Sequence, residues 1–363
     1  MNALYENDVA RFENALGFYD LADYFTHKTT GYKTRSLCTV TCKWLFEKGE
    51  FPSIDYYHKI GFKNLTQSDI NAKFGDHFLP PGAKIGEMTE NIKKELGFET
   101  TQNISVASSL IDAHAGGFAG ISLGQSLEKT MVIIAGTSAC HMSVSKSPKL
   151  INGIWGPYHH AMIPEYHLNE AGQSAVGSAI DDLLKQSKLA NPYKEIEDIS
   201  EKDVFSCEHL HFYPDVHGNR SPIGDPKMTG VLAGITLDTS LRQKYISLVQ
   251  GLALQTKQIL VKLGGNLFDT IVVTGGVTKN RFFMQTLADV CGVQVFCTDD
   301  CVLIGTAMLA KQAARGLDVS LESLLPKIDG QFFPNVKMER YYLEKWEVYL
   351  KLQEISSFIA GKK

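Results

Sequence analysis

At 363 residues, with Lys plus Arg 36 against Asp plus Glu 40 and a formal net charge of -4, the chain has length for two domains and no basic excess of the kind a polyanion partner demands. Its longest apolar runs, such as Met131 to Ala135, are far shorter than the roughly 20 residues a bilayer crossing takes, and no amino-terminal stretch has signal-peptide order. Nucleic acid and membrane are thereby excluded as partners, and a cytoplasmic protein is the expectation. The seven cysteines are scattered without close pairs, which fits reduced thiols and not a disulfide framework.

Residues 1–50 read as helical, with Leu16, Tyr19, Leu21, Ala22 and Phe25 as a packing face and Gly31 as a stop. Cys38 and Cys42, four apart, share one face of a helix without forming a recognisable metal pattern. A turn is expected at Pro80, Pro81 and Gly82, then a short helix from its cap Thr89 to Leu96, stopped by Gly97. The run Ile104 to Ile111 suits a buried strand and ends at one carboxylate, Asp112, followed by a helix-like segment of small residues. An acid just past a strand and at the start of a helix lies at the carboxyl edge of an α/β sheet, where open folds of this class bind ligands. Its plainer role is to cap that helix by accepting free amides.

Met131 to Ala135 and His141 to Ser145 predict a β-hairpin whose turn, Gly136, Thr137 and Ser138, is small enough to bring backbone amides to a phosphate. Trp155 to Ser178 passes from an aromatic loop into a helix running on to Leu184. Lys185 to Asp203 is a surface linker, and Phe212 to Pro226 a Gly/Pro-rich loop carrying Arg220, which suits a phosphate, a sugar or a surface ion pair. His159, His160 and His167, like the pair His209 and His211, lack the second half of any zinc pattern, so no metal site is expected.

Val231 to Ile235 is a strand, Asp238 or Thr239 a cap, and Leu241 to Leu263 a long helix ended by Gly264 and Gly265. Ile271 to Val273 is a strand that runs into Gly275 and Gly276 and on to Asn280, before a helix from Arg281 to Cys291. Such a bend admits a flat or anionic ligand to the backbone, yet it is neither a Rossmann fingerprint nor a Walker loop. A strand at Val293 to Cys297 follows, then a helix from Ile304 to Ala314 in which Gly305 allows close packing, and a polar-faced helix within Pro334 to Phe358. Two phosphate-sized turns and one acid between the halves describe a nucleotide-binding α/β protein equipped for phosphoryl transfer. That chemistry asks for held phosphates, Mg²⁺ to spread charge, and a base for the attacking hydroxyl.

The motifs SLIDAHAGG (Ser109 to Gly117), AGTSACHM (Ala135 to Met142), GIWGPY (Gly153 to Tyr158), NEAGQSAVG (Asn169 to Gly177), DVHGNRSP (Asp215 to Pro222) and VTGGVTKN (Val273 to Asn280) resemble those of the FGGY family of carbohydrate kinases, and within it the D-ribulokinase-like branch. DLADYFTHKTTG (Asp20 to Gly31), RSLCTVTCKW (Arg35 to Trp44) and LPPGAKIG (Leu79 to Gly86) extend the likeness over nearly the whole chain. The resemblance implies an α/β, actin-like (ribonuclease-H-like) ATPase fold in two domains, 1–116 the remainder of the sugar-side domain and 117–363 the nucleotide-side domain. It implies Asp112 as the catalytic base for the terminal hydroxyl of a ketopentose, D-ribulose ahead of others, with ATP and Mg²⁺ as cofactors. Gly136, Thr137 and Ser138 match the family's second phosphate loop, Gly275, Gly276 and Asn280 its adenosine motif, and Gly305 a glycine near the adenine pocket. The partner is a small-molecule sugar, with a homodimer left open.

One departure sets the rival reading. The family opens with a strand and an Asp-x-Gly-Thr hairpin, whereas this chain contains no Asp-x-Gly-Thr or Asp-x-Gly-Ser. The expectation is therefore a shortened first domain, and the alternative function is a catalytically inactive nucleotide-binding or interaction protein on the same fold.

Overall fold

Strands Thr130–Ala135 and Thr270–Thr274 lie parallel at the centre of a seven-stranded mixed sheet, in a computed structural model that describes residues 1–361. From one edge the order is Gly330–Phe332, Gln294–Thr298, Thr270–Thr274, Thr130–Ala135, Ala139–Ser145, His167–Gln173 and Trp155–His159. The three strands 294–298, 270–274 and 130–135 run parallel, and all other neighbours are antiparallel.

Side chains alternate across a strand, so a strand covered on both faces reads as a continuous apolar run. Met131, Ile133, Ile271 and Val273 enter one core with Leu252, Ala253, Phe283 and Leu287 from helices Leu241–Leu263 and Arg281–Cys291. Val132 and Val272 enter the other, with Ala115, Phe118, Met308 and Leu309 from helices Asp112–Ile121 and Cys301–Arg315. The small residues of helix 112–121 bring it onto the sheet: a Cβ on Gly120 would lie 2.9 Å from Val132, and one on Gly116 2.9 Å from Ile134. A division of the chain after residue 116 falls within this helix.

The first hundred residues form short helices around an aromatic cluster of Phe12, Tyr57, Phe62 and Phe74, with two-stranded sheets at 35–36 with 78–79 and at 84–87 with 105–107. Two expectations need correction here. Leu16, Leu21 and Phe25 do not pack; they are 89%, 67% and 60% exposed, because helix Leu21–Thr30 turns its buried side inward through Asp23, Thr26 and Thr30. The strand expected over residues 104–111 is confined to Ser105–Ala107 and is only half-buried. Helices Ile54–Lys59 and Gln67–Phe74 precede the turn at residues 80–82.

Further along, the aromatic loop expected from Trp155 is two strands, 155–159 and 167–173, that close the sheet. The long helix is capped by Ser240, whose hydroxyl accepts from the Gln243 amide, and not by Asp238 or Thr239. The hairpin 130–145, helix 241–263 and helix 281–291 stand where the sequence placed them.

Candidate active site

Strands 130–135 and 270–274 pair Ile134 with Thr274, so both leave the sheet at the same edge and enter their bends side by side. Gly275 has φ +106°, and a Cβ there would collide with the Ala135 carbonyl oxygen; glycine is what lets the two bends touch. Within the first bend the Gly136 amide donates to Ser138 O at 2.9 Å, while Thr137 O accepts from the Val176 amide at 2.9 Å and from the Ser178 hydroxyl at 2.9 Å. The start of helix Gly177–Gln186 is thereby fastened to the bend.

Beside these turns is a cavity of about 1130 Å³ whose walls include Gly136, Thr137, Gly177, Gly276 and Asn280. Its size and its backbone-rich, glycine-lined edge fit a nucleotide. Segment 193–199, expected to be a plain surface linker, supplies Tyr193 and Ile196 to the same walls. Asn280 caps helix 281–291, accepting from the Phe283 amide at 3.0 Å and donating to the Tyr245 hydroxyl at 2.6 Å. Ser138 is half-buried at the hairpin turn. Gly305 is buried against the Ala115 carbonyl, where any Cβ would collide, so it locks helix 301–315 to helix 112–121.

Helix 112–121 runs antiparallel to strand 130–135, with Gly120 over Val132 and Gly116 over Ile134. Four helical residues rise about 6 Å and two strand residues about 6.6 Å, so one more turn carries Asp112 past the strand end, level with the 136–138 bend. Burial first, and then Glu170, push the Cys140 thiol up, and the Asp112 charge adds to them. Asp112 is exposed and is the first helical residue; Ile111 holds the cap position, so the capping role is not realised. The Asp112 Oδ1 accepts from its neighbour, the Ala113 amide, at 2.8 Å.

One turn into that helix, His114 is buried, with Nδ1 3.2 Å from Cys38 Sγ and Nε2 3.1 Å from Glu170 Oε2. The Cys140 thiol donates to the other Glu170 oxygen at 2.7 Å. Burial alone would push the Cys38 thiol up, but a hydrogen bond from Cys42 and the His114 charge bring it down to about 5. Burial would likewise push His114 down, yet the Cys38 charge and its hydrogen bond, with Glu170 on the other side, raise it to about 10. Burial pushes the Glu170 carboxyl up, but the His114 bond and charge, with the Cys140 bond and the Lys43 charge, together hold it below the usual carboxylate range. The three form a hydrogen-bonded row in which each shift is in the direction that favours the charged form. Lys43 lies close enough to act on Glu170 and Arg220 on Cys140, and the Arg220 guanidinium sits 5.1 Å from the centre of the Trp155 ring.

Among the described residues, one group of three His, Cys, Asp or Glu side chains is close enough to share an ion: Cys38, Cys42 and His114. Sulfur donors do not suit Mg²⁺, so this group is not an Mg²⁺ cage.

Residues 131–314 match the carboxy-terminal domain of the FGGY family of carbohydrate kinases. An FGGY carbohydrate kinase domain-containing protein of Xenopus laevis is 36% identical over 372 residues, which is 92% of this chain and 67% of that protein. The chain belongs to the FGGY family of carbohydrate kinases. A D-ribulokinase of Saccharomyces cerevisiae is similar at 30% identity over 93% of this chain and 54% of that protein. The crystal structure of a xylulose kinase from Rhodospirillum rubrum superposes with a TM-score of 0.79 at 16% identity, covering 99% of this chain and 72% of that one. The fold is the actin-like fold of the FGGY kinases, as the sequence motifs implied.

Sequence reasoning named Asp112 but missed His114, Glu170, Cys140 and Lys43. His114 and Glu170 stood in plain view inside the motifs DAHAG and NEAGQ. What was lacking was the fold that carries Cys38 across 76 positions to His114.

Proposed function

We propose that this FGGY chain is an ATP-dependent pentulose kinase that moves the γ-phosphoryl group of ATP to the terminal hydroxyl of D-ribulose, giving D-ribulose 5-phosphate and ADP. One observation carries the reading: an exposed carboxylate, Asp112, begins its helix at the sheet edge where the two bends abut. Bound in the adjoining cavity, ATP supplies the phosphoryl group. Asp112 takes the proton of the sugar hydroxyl as its oxygen attacks phosphorus, a role worth roughly 10² to 10⁴ in rate. Backbone of the 136–138 and 275–276 bends holds the phosphates, and Asn280 fixes the start of the helix beside the nucleotide. Lys43, Glu170 and Arg220 offer the sugar hydroxyls charged partners around Asp112. Mg²⁺ arrives with the nucleotide phosphates. The choice of D-ribulose follows the Saccharomyces cerevisiae relative.

The test is ATP consumption with D-ribulose, D-xylulose, L-ribulose and glycerol, in the chain and in Asp112→Ala. Turnover on D-ribulose that the substitution leaves unchanged removes Asp112 from its role. The second reading is a nucleotide-binding or interaction protein without turnover. ATP binding with no consumption on any of the four substrates selects it.

A further inference from the structure

We propose that Cys38, Cys42 and His114 form a site for one thiophilic divalent cation, with Zn²⁺ the ion its donors suit. Their Sγ atoms and one imidazole nitrogen already lie within 4.8 Å of one another. Around a tetrahedral zinc, with bonds of about 2.3 Å to sulfur and 2.0 Å to nitrogen, ligand atoms stand roughly 3.5 to 4 Å apart. Small side-chain rotations close the difference. Helix Leu37–Trp44 presents both thiols from one face, since four residues is close to one turn. The imidazole enters from helix 112–121, with Nδ1 the nitrogen nearest Cys38.

Two features separate this group from an incidental meeting of thiols. The first is that the far nitrogen of His114 is held by the Glu170 carboxylate at 3.1 Å. A carboxylate behind a histidine is the arrangement that orients metal-bound imidazoles and raises their basicity. The second is access. Cys38 and His114 are 0% and 2% exposed while Cys42 is half-buried, which leaves the Cys42 side for entry and for a fourth ligand such as water. An ion there ties the helix carrying Cys38 and Cys42 to the first turn of the helix that begins at Asp112, and through Glu170 to strand 167–173.

The experiment needs neither nucleotide nor sugar, so its outcome is separate from that of the kinase reading. The reduced, chelator-treated chain is titrated with Co²⁺ alone and then with Zn²⁺. The expected result is one Co²⁺ per chain, with thiolate-to-metal charge transfer in the near ultraviolet and tetrahedral visible bands, both removed by one equivalent of Zn²⁺. Cys38→Ser and Cys42→Ser each abolish the charge-transfer band, and Glu170→Gln weakens Co²⁺ binding about 10- to 100-fold. Cys207→Ser and Cys301→Ser, which alter buried thiols elsewhere, leave the titration unchanged. Cys42→His keeps a donor on the less buried side and retains Co²⁺ with a weaker band, which covers the case in which Cys38→Ser does not fold. Three results overturn the proposal: no charge-transfer band in the unaltered chain, weak octahedral bands only, or a band of full strength in folded Cys42→Ser.

Discussion

The two sides of the Asp112 edge are built from opposite materials. On the nucleotide side, at residues 136–138 and 275–276, glycines and main-chain hydrogen bonds make the surface, and hardly a side chain is involved. On the other side, Cys38, His114, Glu170 and Cys140 make a row of buried, mutually dependent charges. The backbone surface carries no titration. The side-chain row depends on the hydrogen bonds and protonation of each partner. Asp112 stands between them, solvent-facing and accepting from its own neighbour's amide.

That contrast is open to four tests. Asp112→Asn keeps the size and changes only the ability to take a proton, so turnover should fall at least about 100-fold while nucleotide affinity, read by calorimetry, stays put. An equal loss of affinity would place Asp112 on the nucleotide side instead. Gly275→Ala forces a Cβ into the Ala135 carbonyl at φ +106°, and is expected to cost about 1 to 3 kcal/mol in denaturant unfolding and to lose the nucleotide as well. An unchanged midpoint would show that the two bends do not touch in solution.

The third test is of pH. Burial raises the Asp23 carboxyl to about 6, against bonds from Thr39 and Ser36 that pull the other way. A folded value above the unfolded one means that the contribution is full below about 3.8 and is lost as pH rises through about 6, with at most about 3 kcal/mol at stake. Asp23→Asn can keep both contacts, because Thr39 already donates to Ser36 O as well. Relative to the unaltered chain it should therefore gain stability between pH 4 and 7, and a flat difference would refute the burial argument. The smallest effect is expected at Gly136, where a Cβ would meet nothing within 4 Å. Gly136→Ala should leave the melting midpoint alone and weaken ATP several-fold. A shifted midpoint would mean that the first bend is as crowded as the second.

The nucleotide side was the more legible in the sequence for the same physical reason. Helices 241–263 and 281–291 carry their stops and caps locally, in Gly264, Asn280 and Gly292, and the hairpin 130–145 announces itself by alternation around Gly-Thr-Ser. Strands 155–159 and 167–173 were missed because Asn169, Glu170 and Gln173 put polar groups at buried or half-buried positions, where their partners come from elsewhere in the chain. Cys38 and Cys42 looked like one helix face and nothing more, since the third member of their group lies on another helix. Leu16, Leu21 and Phe25 misled in the opposite direction: apolar spacing promised a buried face, and helix 21–30 buries Asp23 instead.

Those solvent-facing side chains bear on how the stability tests are read. Environment-sensitive dyes light up on any accessible greasy surface. Leu16, Leu21, Phe25 and Tyr32 face outward, so the signal of such a dye on the native protein has to be recorded before heating begins. Melting curves for this chain therefore belong to circular dichroism or tryptophan emission, and the dye signal measured cold becomes a gauge of how far that surface is covered when the protein meets itself or a partner.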